Sequence, residues 1–367
     1  MGDNSSNIKV DYRIPVTILS GFLGSGKTTL LNKLIKDHPE KKFAIIENEF
    51  GEIPIDNELV IGADDGIFEM SNGCVCCSLN DELINILIKL IKRPQKINHL
   101  IVETTGVADP APVIMNFISD SNIKSLFRLD AVITLADAQF IEQQIENESV
   151  VRMQLTMADL ILINKTDRVD SYLKETAFNI ISRMNTEAQI KECTYGTVSD
   201  LDLLNIQAYD QDRKLVKSDK VTESKFDKIR SLKPLEDIGV SSSSSVLHHS
   251  RPAHQNISSH SFVFEEPLDI LRFDIWLRLI LNHNNMTLYR VKGILNFKAL
   301  NEKLVLQAVY KQYVTESGGL WDEQERTSKL VFIGKNLDKD LLLNGLKVCC
   351  SEKPFVPAEF YKEINLE

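Results

Sequence analysis

No apolar run in the 367 residues comes near the ~20 that a membrane-spanning helix needs, so a helical membrane protein is not expected. Positive charge is not in excess. Lys and Arg number 42 against 52 Asp and Glu, a formal net charge of −10. A general nucleic-acid or anionic-membrane surface is therefore not expected. The opening MGDNSSNIKV has no apolar signal core. Cysteine is sparse, with six in the whole chain. The expectation is a cytoplasmic or nuclear chain whose cysteines are free, metal-binding or catalytic thiols instead of disulfides. Met1-Gly2 with Ser6 fits a loose N-myristoylation pattern, but nothing basic follows, and a frayed polar tail is the simpler reading. No internal repeat is visible. Hydrophobic residues at 43% and charged residues at 26% exclude a mainly disordered or collagen-like chain.

At ~100–200 residues per domain the length fits two or three domains. IPVTIL (14–19), FAIIENE (43–49), HLIVETTG (99–106), DAVITLAD (130–137) and DLILINKTD (159–167) are short apolar runs, most of which end in polar residues. Buried parallel strands have this form, with functional residues at their carboxyl ends. Helical spacing lies between them, as in TTLLNKLIKDH and LNDELINILIKLIKR. The pattern predicts an α/β fold, a P-loop NTPase domain with a mostly parallel central sheet, followed by a smaller α+β domain. Residues 1–13 read as a disordered tail, 14–206 as the first domain, and 207–256, with SSSSS and HHSRPAHQ, as a polar linker. Residues 257–352 read as the second domain, in the order β-α-β-β-β-α, with YRVKGILNF, KLVLQAVYKQY and KLVFIGK as its last three strands. Residues 353–367 read as a C-terminal tail.

Gly21-Phe22-Leu23-Gly24-Ser25-Gly26-Lys27-Thr28 matches G-x-x-x-x-G-K-[ST] between a strand and a helix. Glycines let successive N–H groups point at one phosphate, and the helix N-terminus adds a favourable dipole. Lys27 is expected to bridge the β- and γ-phosphates, Thr28 to reach Mg²⁺, and Thr29 to complete the phosphate-binding turn. Glu103 ends a buried strand, with Gly106 three residues on. Glu103 is either a Mg²⁺ holder or a strand-end carboxylate that meets solvent, and the Gly106 N–H can report a γ-phosphate. Asp137 reads as a turn-capping residue.

Asn164-Lys165-Thr166-Asp167 selects a base. The Asp167 carboxylate accepts from guanine N1–H and NH₂, whereas adenine would face it with an acceptor. Such a mismatch costs ~1–3 kcal/mol per buried unpaired group. The Lys165 stem can lie on the base, and Asn164 can hold the loop. Cys193-Thr194-Tyr195-Gly196 is a further base-side loop.

Cys74, Cys76 and Cys77 lie together in GCVCC. Clustered thiolates suit Zn²⁺ or Cu(I), and three ligands leave a tetrahedral site open for water, Glu, His or a partner's side chain. Small buried core cysteines are the alternative. His248, His249, His254 and His260 fall in or beside the linker as a weak metal tract or as mere linker residues. Cys349 and Cys350 read as packing residues.

GFLGSGKTTL, NEFGE (48–52), GCVCC (73–77), ETTGVADP (103–110) and NKTD (164–167) occur in that order. The chain thereby resembles the CobW family of metal-handling P-loop GTPases along nearly its whole length. The resemblance implies a GTP-hydrolysing metallochaperone using GTP, Mg²⁺ and Zn²⁺, with Cys74, Cys76 and Cys77 as metal ligands. It also places Glu49 and Glu52 in a switch-like segment, and it implies transfer to a client apo-metalloprotein. Relatives in animals and fungi carry a Cys-Pro motif near the N-terminus that docks on methionine aminopeptidase. This chain has only DYRIPVT there, so methionine aminopeptidase is a possible client whose docking motif is not seen. Cobalt or another metal, or a metal-regulated signalling GTPase, are the alternative readings.

Overall fold

The computed structural model describes residues 11–47, 67–69, 79–92, 97–209, 257–321 and 326–364. The first domain is a parallel sheet with helices on both faces. Its strands are β1 (Ile14–Gly21), β2 (Phe43–Glu47), β3 (Ile67–Glu69), β4 (His99–Glu103), β5 (Phe127–Asp137), β6 (Leu160–Asn164) and β7 (Gln189–Glu192), in the order β3-β2-β4-β1-β5-β6-β7. Its helices are α1 (Lys27–Asp37), α2 (Leu79–Ile91), α3 (Ala111–Ser119), α4 (Ser121–Leu126), α5 (Ile141–Asn147), α6 (Ser149–Met157) and α7 (Ser171–Met184).

The unbroken apolar strands arise because both faces are covered. In β4, Leu100 and Val102 enter one core and Ile101 the opposite one. Each fully buried aliphatic side chain contributes about 1.5–3 kcal/mol. Helix starts follow local capping. Asp170 accepts from the Leu173 N–H at 2.9 Å at the start of α7, and Asp120 accepts from Asn122 and Ile123 at the start of α4.

The second domain contains β8 (Ile257–Phe264), α8 (Ile270–Leu281), β9 (Thr287–Leu295), β10 (Glu302–Val309), β11 (Gln312–Leu320), β12 (Ser328–Lys335), α9 (Lys339–Cys349) and α10 (Pro357–Ile364). Its antiparallel sheet runs β11-β10-β9-β12-β8. Trp276 is fully buried beneath it, and a Cβ at Gly345 would collide with the Trp276 indole, so α9 meets α8 at a glycine.

Three expectations are corrected here. KLVLQAVYKQY is not one strand but the hairpin β10–β11, which turns at Tyr310 with φ 52. A β-branched and aromatic run conceals a left-handed turn residue, which Asn or Gly would have announced. Residues 353–367 are not simply a tail, because α10 buries Phe360 and Ile364, each 1% exposed, in the second core. The i,i+4 spacing of those two residues carries the helical signal. The polar segment expected from 207 begins inside the first domain. Asp130 accepts from the N–H groups of Ile206 and Gln207, each at 2.9 Å, and Ala208 N–H donates to the Asp130 carbonyl at 2.7 Å.

The domains meet through α6 and β9, α7 and β8, and α3 and β11. Tyr289 and Val309 of the second domain belong to a core of the first. Arg290 and Lys292 alternate on β9 with Val291, which enters the second core, and so face the first domain. Both cations pair with Asp159, at 2.5 and 2.6 Å.

Candidate functional site

The carboxyl edge of the parallel sheet assembles the site. At that edge Leu19 of β1 lies beside Glu103 of β4, Glu103 beside Glu47 of β2, and Glu47 beside Glu69 of β3. Asp137 lies beside Asn164. The Gly-rich loop, ETTG and NKTD therefore emerge on one side, as open α/β sheets require.

After β1 the chain turns through Gly21, Gly24 and Gly26, with φ 139, 70 and 106. All three lie in the left-handed region that favours glycine. Ser25 N–H closes the turn on Phe22 O at 3.1 Å, and Leu30 N–H to Gly26 O starts α1. No side chain caps this helix and no acidic residue occupies its first turn, an N-terminus suited to an anion. Lys27 is 8% exposed and its Nζ donates to Gly21 O at 2.9 Å, so the cation lies at the mouth of the loop. Thr28 and Thr29 follow in the first turn of α1.

Asn164 supports the loop from β6. A Cβ on Gly26 would collide with its amide, and Asn164 Nδ2 donates to Ser25 O at 2.8 Å. Asn164 Oδ1 and Ser25 Oγ are buried and have no partner among the described residues. Buried polar atoms are nearly always paired. The Ser25 hydroxyl and the uncapped helix end can donate to an anion, whereas Asn164 Oδ1 can only accept, from a donor group of a ligand.

Gly106 lies against the Gly-rich loop, where a Cβ would come within 2.6 Å of Leu23 N. Thr104 N–H donates to Leu19 O at 2.9 Å and ties this segment to β1. Gln154 on α6, 1% exposed, donates from Nε2 to the carbonyls of Gly106 and Ala108, both at 3.1 Å. Sequence reading missed Gln154. A lone Gln in an amphipathic helix carries no signal until the opposing loop is placed.

On the base side Lys165 adopts φ 61, and its Nζ pairs with Asp137 Oδ2 at 2.7 Å. Asp137 Oδ1 also caps the turn, accepting from Gln139 N–H at 3.0 Å. Asp167 is exposed in the short 3₁₀ turn that follows. Thr166 Oγ1 reaches Thr194 Oγ1 at 2.9 Å, and a Cβ on Gly196 would lie 3.1 Å from Leu30 Cα, so the Cys193–Gly196 loop sits between NKTD and α1. Tyr195 stands 67% exposed there, with φ 50. Burial pushes the Cys193 thiol up to about 11, which leaves it inert.

The structure thus brings Gly21, Gly24, Ser25, Gly26, Lys27, Thr28, Thr29, Glu103, Gly106, Asn164, Lys165 and Asp167 to one edge. Glu49, Glu52, Cys74, Cys76 and Cys77 lie outside the described residues, as do His248, His249 and His254. Glu69, from which the thiol segment departs, is at the same carboxyl edge. Among the described residues no group of three or more His, Cys, Asp or Glu is placed to hold a metal ion. His260 lies on β8, paired with Phe332. Cys349 is buried, in keeping with a packing role. No helix of the described residues is long and apolar enough to cross a membrane.

Two family models match the chain. The CobW/HypB/UreG nucleotide-binding domain covers residues 15–192, and the cobalamin synthesis protein cobW C-terminal domain covers 257–350. The zinc chaperone YjiA of Escherichia coli is 31% identical over 332 residues, 89% of this chain and 96% of that protein. The zinc-regulated GTPase metalloprotein activator 1 of Schizosaccharomyces pombe is 29% identical over 348 residues, 89% of this chain and 83% of that protein. The crystal structure of Zn(II)-bound YjiA GTPase from Escherichia coli aligns with a TM-score of 0.62 at 27% identity, covering 92% of this chain and 99% of that one. With the site geometry and both domains matched in order, the chain belongs to the CobW family, its P-loop domain joined to a CobW C-terminal domain.

Proposed function

We propose that this protein is a GTP-hydrolysing metallochaperone that holds zinc at Cys74, Cys76 and Cys77 and passes it to a client apo-metalloprotein. The observation that carries the reading is the Asn164–Ser25 hydrogen bond of 2.8 Å, which joins the base-selecting motif to the Gly-rich loop. It is supported by the position of Glu69, the last placed residue before the thiols, on the same sheet edge as Glu103. The relatives' printed names, a zinc chaperone and a zinc-regulated GTPase activator, point the same way.

In this reading Lys27 and the N-terminus of α1 bind the phosphates, and Asp167 accepts from guanine while the Lys165 stem covers the base. Thr28 and Glu103 would hold Mg²⁺, which neutralises charge on the phosphate oxygens when bound. The Gly106 N–H senses the γ-phosphate. Glu49 and Glu52 would act on Mg²⁺, the attacking water or the transported ion. Turnover is slow without a partner, because Arg290 is committed to Asp159 and Arg326 to Asn301, and neither is offered to the phosphates.

GTP contacts order the segments flanking the thiol loop in sequence, and hydrolysis releases them and changes the metal site's exposure. The test is zinc transfer to an apo-metalloprotein with GTP, with GDP and without nucleotide, together with GTPase rates for the wild type and Cys74→Ser. Transfer that needs GTP and is lost in Cys74→Ser supports the reading. Zinc that stimulates turnover without ever leaving the protein would favour a metal-regulated signalling GTPase instead.

A further inference from the structure

Helix α6 has an unusual set of partners at its end. The last four carbonyls of a helix have no partner within it. Here Gln154 O accepts from Thr134 Oγ1 at 3.0 Å, and Leu155 O and Thr156 O accept from Asn185 Nδ2 at 2.8 and 3.4 Å. Met157 O, the fourth, accepts from Arg290 of the other domain. The guanidinium therefore satisfies a carbonyl at the negative end of the helix dipole. Three residues upstream on the same helix, about 4.5 Å along its axis, Gln154 grips the carbonyls of Gly106 and Ala108.

A second contact reaches the same loop. Tyr310, in the left-handed turn between β10 and β11, donates its hydroxyl to Asp109 Oδ2 at 2.7 Å. Asp109 Oδ1 accepts from Ala111 N–H at 2.9 Å and starts α3. The segment from Gly106 to Asp109 is therefore held by α6 from below and by Tyr310 from the second domain. Gln154 Oε1 is buried with no partner among the described residues, so among these the side chain is fixed through its donor end.

We propose that Gln154 is a positioning residue for GTP hydrolysis, and that the C-terminal domain sets the ETTG loop through Arg290 on α6 and Tyr310 on Asp109. The inference rests on the GTPase reading above but not on the metal site. A restrained loop affects the γ-phosphate, which only GTP carries. GDP binding depends on the Gly-rich loop and NKTD, which neither contact touches.

The experiment uses the full chain with Mg²⁺ and without zinc. It measures kcat, KM and the Kd values of GDP and of a non-hydrolysable GTP analogue for wild type, Gln154→Leu and Tyr310→Phe. Gln154→Leu is expected to lower kcat by about tenfold, the loss of two donated hydrogen bonds, with the GDP Kd unchanged. Tyr310→Phe removes one hydroxyl, leaves the fold intact, and is expected to shift the ratio of analogue Kd to GDP Kd by several-fold. If both Kd values move in parallel, or if kcat and the ratio stay at wild-type values, the inference is overturned. A wild type that hydrolyses GTP while both variants match it overturns this inference alone. A wild type that binds neither nucleotide overturns the GTPase reading as well.

Discussion

Asn164 Nδ2 donates to the Ser25 carbonyl oxygen at 2.8 Å, joining two motifs that stand 139 residues apart. The bond fixes the depth of the Gly-rich loop against β6. Replacing Asn164 with Leu removes that donor and leaves a buried carbonyl unpaired, at a cost of about 1–3 kcal/mol. Nucleotide affinity is expected to fall by about tenfold or more, for GDP and GTP alike. Calorimetric titration of both nucleotides checks this, and unchanged affinities would contradict the site as described.

Base selection gives a second prediction. Asp167 is exposed in the turn after β6. Asp167→Asn exchanges an acceptor for a donor at the base edge. GTP affinity is expected to drop by about a hundredfold, two mismatched hydrogen bonds, while xanthosine triphosphate, which offers a carbonyl there, gains. Competition binding with the two nucleotides reads the exchange directly. A variant that keeps its preference for GTP would move base recognition elsewhere, with Tyr195 the next residue to test.

The domain clamp predicts a stability pattern. Arg290 and Asp159 are 5% and 4% exposed at the side chain. Burial alone would raise the Asp159 pKa, but Arg290 and then Lys292 overcome it and hold the carboxyl below its ordinary range. Arg290→Met leaves the buried carboxylate to Lys292 alone and the Met157 carbonyl without its donor, and is expected to cost about 1–3 kcal/mol. Urea unfolding checks this, and the triple variant Arg290→Met, Lys292→Met and Asp159→Leu, which leaves no charge of the cluster unpaired, is expected to recover part of the loss. A single variant as stable as the wild type would show that the clamp contributes nothing.

Acid sensitivity has a different origin. His99 is fully buried in β4, Nε2 bonded to Thr17 Oγ1 at 2.8 Å, and burial lowers its pKa to about 3. The unfolded chain therefore binds a proton that the folded chain refuses. Stability is full above the unfolded pKa and falls as the pH drops toward the folded one. Between about pH 7 and about pH 5 the loss is expected to be about 2 kcal/mol. Asp159, whose pKa is lowered instead, contributes nothing to that window, because its stabilisation is lost only below the ordinary carboxylate range. His99→Gln is expected to flatten the pH dependence of the urea midpoint, and an unchanged slope would contradict the assignment.

Local chemistry made much of this molecule legible in sequence. A strand buried on both faces must be apolar throughout, a loop that turns through three left-handed positions needs Gly21, Gly24 and Gly26, and Asn164-Lys165-Thr166-Asp167 stands out because it closes a buried strand. Each feature constrains neighbouring residues, so each leaves a local pattern. Gln154, Arg290 and Tyr310 leave none, because their roles depend on contacts 48, 131 and 201 residues away. On β9 the alternation of Arg290 and Lys292 with Val291 has the form of a solvated face, and only the packing of α6 turns it inward. The turn at Tyr310 was hidden for the opposite reason, since its β-prone residues outvoted the one left-handed dihedral. Phe360 and Ile364 were lost in a polar terminus too short to display a full helical stripe.

The central claim is that nucleotide and metal sense each other's occupancy. It is tested most directly by measuring the zinc Kd of the wild type with a GTP analogue, with GDP and with neither, and repeating the series with Cys74→Ser. A coupling of about 1–3 kcal/mol predicts zinc affinities that differ by about 5–150-fold between the nucleotide states, and a difference that disappears in the variant. Zinc bound with one and the same affinity in all three states would contradict it.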